Sequence, residues 1–475
     1  MADREMKFDS KMSDAEAMMW NVEHDPRLSS NIGSITICDA PLDFEYLRKK
    51  IAQAVAEIPR LRERVAPVLG RLAPPVWIPD REFELDYHFR RVALPAPGSD
   101  RQLFDLCCTL LREPFDRTRP LWSFVVIDGV EGGRGALFSK LHHTVTDGEG
   151  GVRLAERYMD LEQHPAPPPE TDLTEVLNAV EEPQTDEDFA SSVVSTTTHT
   201  LRRVLGIVRR TVGEAALVVA DPPRVAEAVG NVTKAIGSAR GQLGGSGPGS
   251  PLWKERSRHR DFDVLDVPFE GARDAAKKLG GSLNDFFVAG AAIGAVKYHE
   301  FYGVEAPFLN ATFVVSTRND ASAGGNAFTP SIVHIDGGKM DPVDRFNQLK
   351  DAMGSRRGEV TGGADLMGAL SGLANLLPTS VVTGIGRGQA ARIDFATSNV
   401  RGAPFHVFVA GAKAVAFYPM GPVAGTAWNI TMMSYAGTLF MGVQTDPAAV
   451  TDIDLLIRSI KEGYRELFAA AGVPA

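Results

Sequence analysis

The sequence predicts an α/β protein made of two halves with a long insertion between them. Strand-like and helix-like patterns interchange over residues 1 to about 164, and the same interchange resumes from about 256 to the C-terminus at 475. The stretch between has linker composition at both of its ends. The predicted division is therefore 1–164, 165–255 and 256–475.

In the first half, Ile32-Gly33-Ser34-Ile35-Thr36-Ile37 reads as a strand. Residues 44–58 place Leu47, Ile51, Val55 and Ile58 at helical spacing, and Pro59 stops the helix. Residues 122–127 and 135–141 read as two strands separated by the turn residues 128–134, and they deliver the chain into His142-His143. The insertion opens with Pro165-Ala166-Pro167-Pro168-Pro169 and an acidic run, and closes with a Gly/Ser/Pro stretch at 244–251. Within it, Leu201, Val204, Leu205, Val208, Val212, Ala215 and Val219 share one helical face, with Arg202, Arg203, Arg209 and Arg210 roughly opposite. Such a helix suits either the protein's own surface or an anionic membrane interface.

In the second half, residues 262–267 form a strand candidate, 283–298 a helix and 311–316 another strand. Residues 405–446 look like a meander of three or four strands with a hairpin near Tyr435-Ala436-Gly437, and a helix at 452–470 ends the chain.

Composition narrows the function. With 44% apolar and 23% charged residues the chain is of globular type, and a formal charge of -10 gives no basic surface for nucleic acid. Three cysteines (Cys38, Cys107 and Cys108) argue against a disulfide framework and for a reducing compartment. Residues 1–14 lack the apolar core of a signal peptide, so export is not expected. The weakly polar run at 286–296 falls short of the ~20 residues of a spanning helix. A cytoplasmic protein, soluble or peripheral at a membrane, is the expectation.

The chemistry concentrates at Leu141-His142-His143-Thr144-Val145-Thr146-Asp147-Gly148-Glu149-Gly150-Gly151. Moving an acyl group from a thioester to an alcohol requires the alcohol proton to leave as the new bond forms. An imidazole with an ordinary pKa near ~6.5 can accept that proton and return it to the departing thiolate. The glycines are expected to turn the backbone tightly and hold the imidazole at the end of a rigid strand. The simpler alternative is a pair of strand-end histidines before an ordinary Asp-Gly turn. A metal site is disfavoured, because adjacent histidines in a strand point to opposite faces.

This stretch resembles the His-His-x-x-x-Asp-Gly signature of the CoA-dependent acyltransferase superfamily. Further stretches look like the bacterial wax ester synthase/diacylglycerol acyltransferase family: Leu61-Arg62-Glu63-Arg64-Val65, Pro114-Phe115-Asp116 before Pro120-Leu121-Trp122, Leu283-Asn284-Asp285, Val315-Ser316-Thr317-Arg318 and Thr397-Ser398-Asn399-Val400. The resemblance covers nearly the whole chain outside 165–255. It implies two similar chloramphenicol-acetyltransferase-like domains flanking a central channel. It also implies a catalytic constellation of His143, His142 and Asp147, with His143 as the base, His142 structural, and Asp147 turned from substrate into an ion pair for which Arg318 is the candidate.

Gly148, Pro120, Leu121, Trp122, Asn284, Asp285, Ser398 and Asn399 are candidates for channel or structural support. Leu121 and Trp122 also fit a plain core role, and Asn284 and Asp285 a helix cap. Ser398 and Asn399 are possible oxyanion donors. The implied reaction takes a long-chain acyl group from acyl-CoA, as substrate rather than cofactor, to diacylglycerol or a fatty alcohol by direct transfer. Such acceptors imply work at the inner membrane face or a lipid droplet. An acyltransferase for another alcohol and a non-catalytic acyl-CoA or lipid-droplet binder are the alternatives.

Overall fold

A computed structural model describes residues 8–66, 74–179, 249–316, 328–362 and 379–474. The amphipathic 201–219 segment and Arg318 lie outside the described residues. The strands of the first part are β1 (Asn31–Cys38), β2 (Glu63–Ala66), β3 (Val76–Pro79), β4 (Phe89–Ala93), β5 (Trp122–Val130) and β6 (Arg134–His142). Those of the second are β7 (Asp261–Pro268), β8 (Phe308–Ser316), β9 (Phe328–Asp336), β10 (Phe395–Arg401), β11 (Phe408–Val409), β12 (Ala412–Met420), β13 (Trp428–Tyr435) and β14 (Thr438–Thr445). They form two six-stranded sheets, ordered β11-β12-β1-β6-β5-β4 and β7-β14-β13-β10-β8-β9, beside the small β2-β3 pair. The fold is the expected α/β type, with helices covering the sheets.

Local sequence explains the helices that matter for the site. The Phe44–Glu57 helix starts where Asp43 accepts the Tyr46 N–H, and it buries Leu47, Ile51, Ala54 and Val55. The Asp100–Arg112 helix begins in a Ser99/Gln102 capping box and buries Leu103, Phe104, Cys107, Cys108 and Leu111. At its far end the Leu110 and Glu113 carbonyls accept from Lys140 Nζ at 2.9 and 2.5 Å. A buried strand lysine thus neutralises the negative end of that helix. In the second half the Leu283–Phe301 helix is almost wholly buried and lies against the C-terminal Ile453–Ala471 helix. Gly294 permits this approach, since a Cβ there would stand 2.5 Å from Ile460 Cα.

One expectation fails. The 405–446 stretch is not a single meander, because β11 and β12 leave the second half and join the first sheet. β12 runs antiparallel to β1, from Gly33 opposite Met420 to Cys38 opposite Ala414. The chain then returns, and β13 pairs in parallel with β10. Only β13 and β14 form the expected hairpin, with Ala436 and Gly437 both at positive φ. Side chains stitch the crossing in place: Tyr435 Oη donates to the Ala414 carbonyl at 3.0 Å and accepts the Val407 N–H at 2.9 Å.

His88 is completely buried between Phe83 and Trp122, with ring centroids 5.1 and 4.7 Å away, and its Nδ1–H donates to the Trp122 carbonyl at 2.8 Å. Burial pushes this imidazole down to about 4. Between pH 6.5 and 4 the unfolded chain therefore binds a proton that the folded chain refuses. Stability falls as pH drops through that window, by up to roughly 3 kcal/mol from this group. Urea midpoints measured at pH 7, 5.5 and 4.5 should decline, and the decline should be shallower in His88→Leu.

Candidate active site

The site is built at the end of β6, on a base prepared by β5. Trp122 sits opposite Leu141 in the ladder, and its Nε1–H donates to the Leu61 carbonyl at 2.7 Å. The Leu121 carbonyl accepts the His142 N–H at 2.9 Å. Pro120, Leu121 and Trp122 are all buried. They form the packed wall against which the motif turns.

Beyond β6 the chain makes a buried polar turn. His142 is 1% exposed, Thr144 1%, Thr146 3% and Asp147 6%, whereas His143 between them is half-buried. The His142 ring is held at both nitrogens: Nε2 lies 2.6 Å from Glu23 Oε2, and Nδ1 lies 2.7 Å from Thr144 Oγ1. The Thr144 backbone N–H also points at Nδ1, at 3.2 Å. An N–H aimed at Nδ1 fits an Nε2–H tautomer, in which Nε2 donates to Glu23. Both nitrogens being occupied, His142 has none left for chemistry.

Glu23 was not apparent in the sequence, for no motif surrounds Val22-Glu23-His24. It follows the Asp14–Val22 helix, which opens in a Ser13/Glu16 capping box. Its other oxygen accepts the Ser30 N–H and the Ser29 hydroxyl, both at 2.9 Å. Burial pushes the carboxyl up, but the His142 imidazole and the Ser30 and Ser29 donors outweigh that and hold it below its ordinary value. The Ser30 carbonyl in turn accepts the His143 N–H at 3.0 Å.

Asp147 caps the Gly148–Ala155 helix by accepting the Gly150 N–H at 2.9 Å. The pairing expected with Arg318 falls outside the described residues. The glycines do not serve the sharp turn expected of them, since Gly148, Gly150 and Gly151 are absent from the positive-φ positions. Gly148 and Gly150 serve close approach instead, whereas a Cβ on Gly151 would meet nothing within 4 Å. A Cβ on Gly148 would stand 2.8 Å from Val400 Cγ2, and one on Gly150 would stand 1.8 Å from Thr146 Oγ1. Gly148 therefore brings the motif helix down onto β10, which belongs to the other sheet.

β10 carries the remaining candidates. Strand alternation puts Ser398 on the same side as Val400, hence toward the motif, and puts Asn399 with Thr397 on the opposite side. Asn399 Nδ2 lies 3.4 Å from Asn284 Oδ1 at the start of the Leu283–Phe301 helix. Asp285 is 3% exposed, completes a capping box with Ser282, and pairs with Arg357 at 3.0 Å. It is a helix cap. Among the described residues no three His, Cys, Asp or Glu side chains gather as a metal site.

The Gly148–Val400 contact can be tested by compensation. Gly148→Ala should destabilise the protein by about 1–3 kcal/mol, as overpacking does, and should lower activity. Adding Val400→Ala should recover part of both, as read by thermal unfolding and by turnover.

The chain is similar to known proteins along nearly its whole length. Residues 12–287 match the wax ester synthase/diacylglycerol acyltransferase catalytic domain, and 324–468 match the WS/DGAT C-terminal domain. A Mycobacterium tuberculosis protein provisionally named diacylglycerol O-acyltransferase is 30% identical over 476 residues, covering 99% of this chain and 94% of that protein. Among solved structures, the wax ester synthase/diacylglycerol acyltransferase from Marinobacter aquaeolei VT8 superposes with a TM-score of 0.65 at 18% identity, over 98% of this chain and 100% of the other. The first condensation domain of the calcium-dependent antibiotic synthetase gives 0.59 at 16% identity, over 98% and 96%. The low-identity structures speak for the fold alone, and the sequence matches speak for the lineage: this chain belongs to the wax ester synthase/diacylglycerol acyltransferase family and is an acyltransferase.

Proposed function

We propose that the chain moves a long-chain acyl group from acyl-CoA to diacylglycerol or a fatty alcohol, forming triacylglycerol or wax ester, with His143 as general base and no cofactor besides the acyl-CoA substrate. One observation carries the assignment of the base. Within 142–147 every side chain except that of His143 is buried, so His143 is the member of the motif that a substrate can reach. Its backbone N–H is pinned to Ser30, which fixes the origin of the side chain at the end of β6.

The acceptor hydroxyl gives its proton to the His143 imidazole as its oxygen attacks the thioester carbonyl carbon. The tetrahedral oxyanion then collapses, the C–S bond breaks, and the proton passes from His143 to the thiolate, leaving ester and free CoA. Ser398, on the motif-facing side of β10, is the proposed donor to the oxyanion. A single donor of this kind contributes roughly 3 kcal/mol to the transition state. Asn399 faces the other way and supports the Asn284 end of its helix.

Insoluble acceptors require contact with a lipid surface, and we assign that contact to the inner membrane face or a lipid droplet. No single helix among the described residues is long and apolar enough to cross a membrane.

Thiol release from palmitoyl-CoA, followed with hexadecanol or dioleoylglycerol added, tests the proposal. Acceptor-dependent release should fall about 10²- to 10⁴-fold in His143→Ala, and about 10²-fold or more in Ser398→Ala. Release that ignores every acceptor, or survives in His143→Ala, would overturn the catalytic assignment.

A further inference from the structure

We propose that Glu23 is a positioning residue for His143, acting through the hydrogen bonds that it makes to His142 and Ser30. The inference rests on His143 being the base. Glu23 stands outside the signature by more than a hundred positions, yet it is the group on which three segments converge. One oxygen takes the His142 Nε2–H at 2.6 Å, and the other takes the Ser30 N–H and the Ser29 hydroxyl at 2.9 Å. His143 is bracketed between these two attachments. Its preceding residue is fixed by the first, and its own N–H is fixed by the carbonyl of Ser30, the residue held by the second.

The carboxylate also selects the state of His142. With Nε2–H committed to Glu23, Nδ1 is left as an acceptor for the Thr144 N–H and hydroxyl. That satisfies a backbone donor that the turn would otherwise bury unpaired. Trp20 and Phe115 make edge contacts with the His142 ring, with centroids 6.0 and 6.5 Å away. Losing the charge leaves the ring free to take the other tautomer, and the Thr144 N–H then faces a second donor. The turn that carries His143 would shift while the sheet beneath it stays intact.

Glu23→Gln is the discriminating variant, because it keeps the side chain's volume and replaces one acceptor oxygen by a donor. One of its two contacts must then set donor against donor. His142→Asn is its partner, since the Asn carbonyl imitates Nδ1 toward Thr144 and removes only the Nε2–H. In the acyl-CoA assay kcat should fall about 10- to 100-fold in Glu23→Gln, the scale of an ångström-sized misplacement, with KM for acyl-CoA changed by less than about twofold. The loss in the double variant should be well short of the product of the two single losses.

A Glu23→Gln protein that turns over like wild type, even if it melts earlier, overturns the proposal, as does a fully multiplicative double variant. The nitrogen-15 shifts of the His142 ring in the unaltered protein give a reading that needs no variant to fold. A protonated Nε2 with bare Nδ1 is expected, and the opposite tautomer overturns the proposal. Parallel measurement of His143→Ala separates the two failures. If that variant stays active, the base assignment is at fault; if it is dead while Glu23→Gln is normal, only the role of Glu23 is.

Discussion

Backbone pairing between β1 and β12 is the contact on which the architecture rests. A strand drawn from residues 412–420 completes the sheet whose other members come from residues 31–142. Every ladder bond in that pair satisfies a donor and an acceptor that would otherwise be an open sheet edge at β1. The crossing has a second effect. Because β12 is covalently followed by β13, and β13 lies beside β10, the two sheets cannot drift apart without unpairing the first one. The motif helix and β10 are thereby kept close enough for Gly148 to touch Val400. A seam between rigid sheets is a setting in which side chains contributed by different halves can hold their geometry.

Burying a polar loop at such a seam is costly unless each of its groups is paired. The residues flanking His143 meet this condition in different ways. His142 is held by Glu23 and Thr144, Asp147 accepts a bond from the helix that it caps, and the His143 N–H is held by Ser30. Lys140, two residues upstream, is saturated by the carbonyls that end the Asp100–Arg112 helix. What results is a stiff frame with one accessible imidazole. The different burial of two adjacent histidines follows from their surroundings, since the residue type is the same.

Much of this was legible along the chain. The helices at 44–57 and 283–301 and the strands at 31–38, 122–130 and 134–142 announce themselves through local periodicity, because each buries one face against a neighbouring layer. The signature and its companion stretches were visible as residue types in order. The wall role of Leu121 and Trp122 followed from their bulk. The glycines were legible as important but were given the wrong reason: their backbone angles are ordinary, and what excludes a side chain is Val400 or Thr146, whose proximity no local pattern records.

The sequence by itself therefore determined the fold class and the family, since these depend on patterns spanning a few residues and on motifs kept in register. Tertiary structure alone decided that β12 joins the first sheet, that Val400 on β10 meets Gly148, and that Glu23 holds His142. Each of these depends on which distant segment lies opposite. That choice is made by the summed burial and hydrogen bonding of the whole chain, which acts over separations such as the 119 residues between Glu23 and His142.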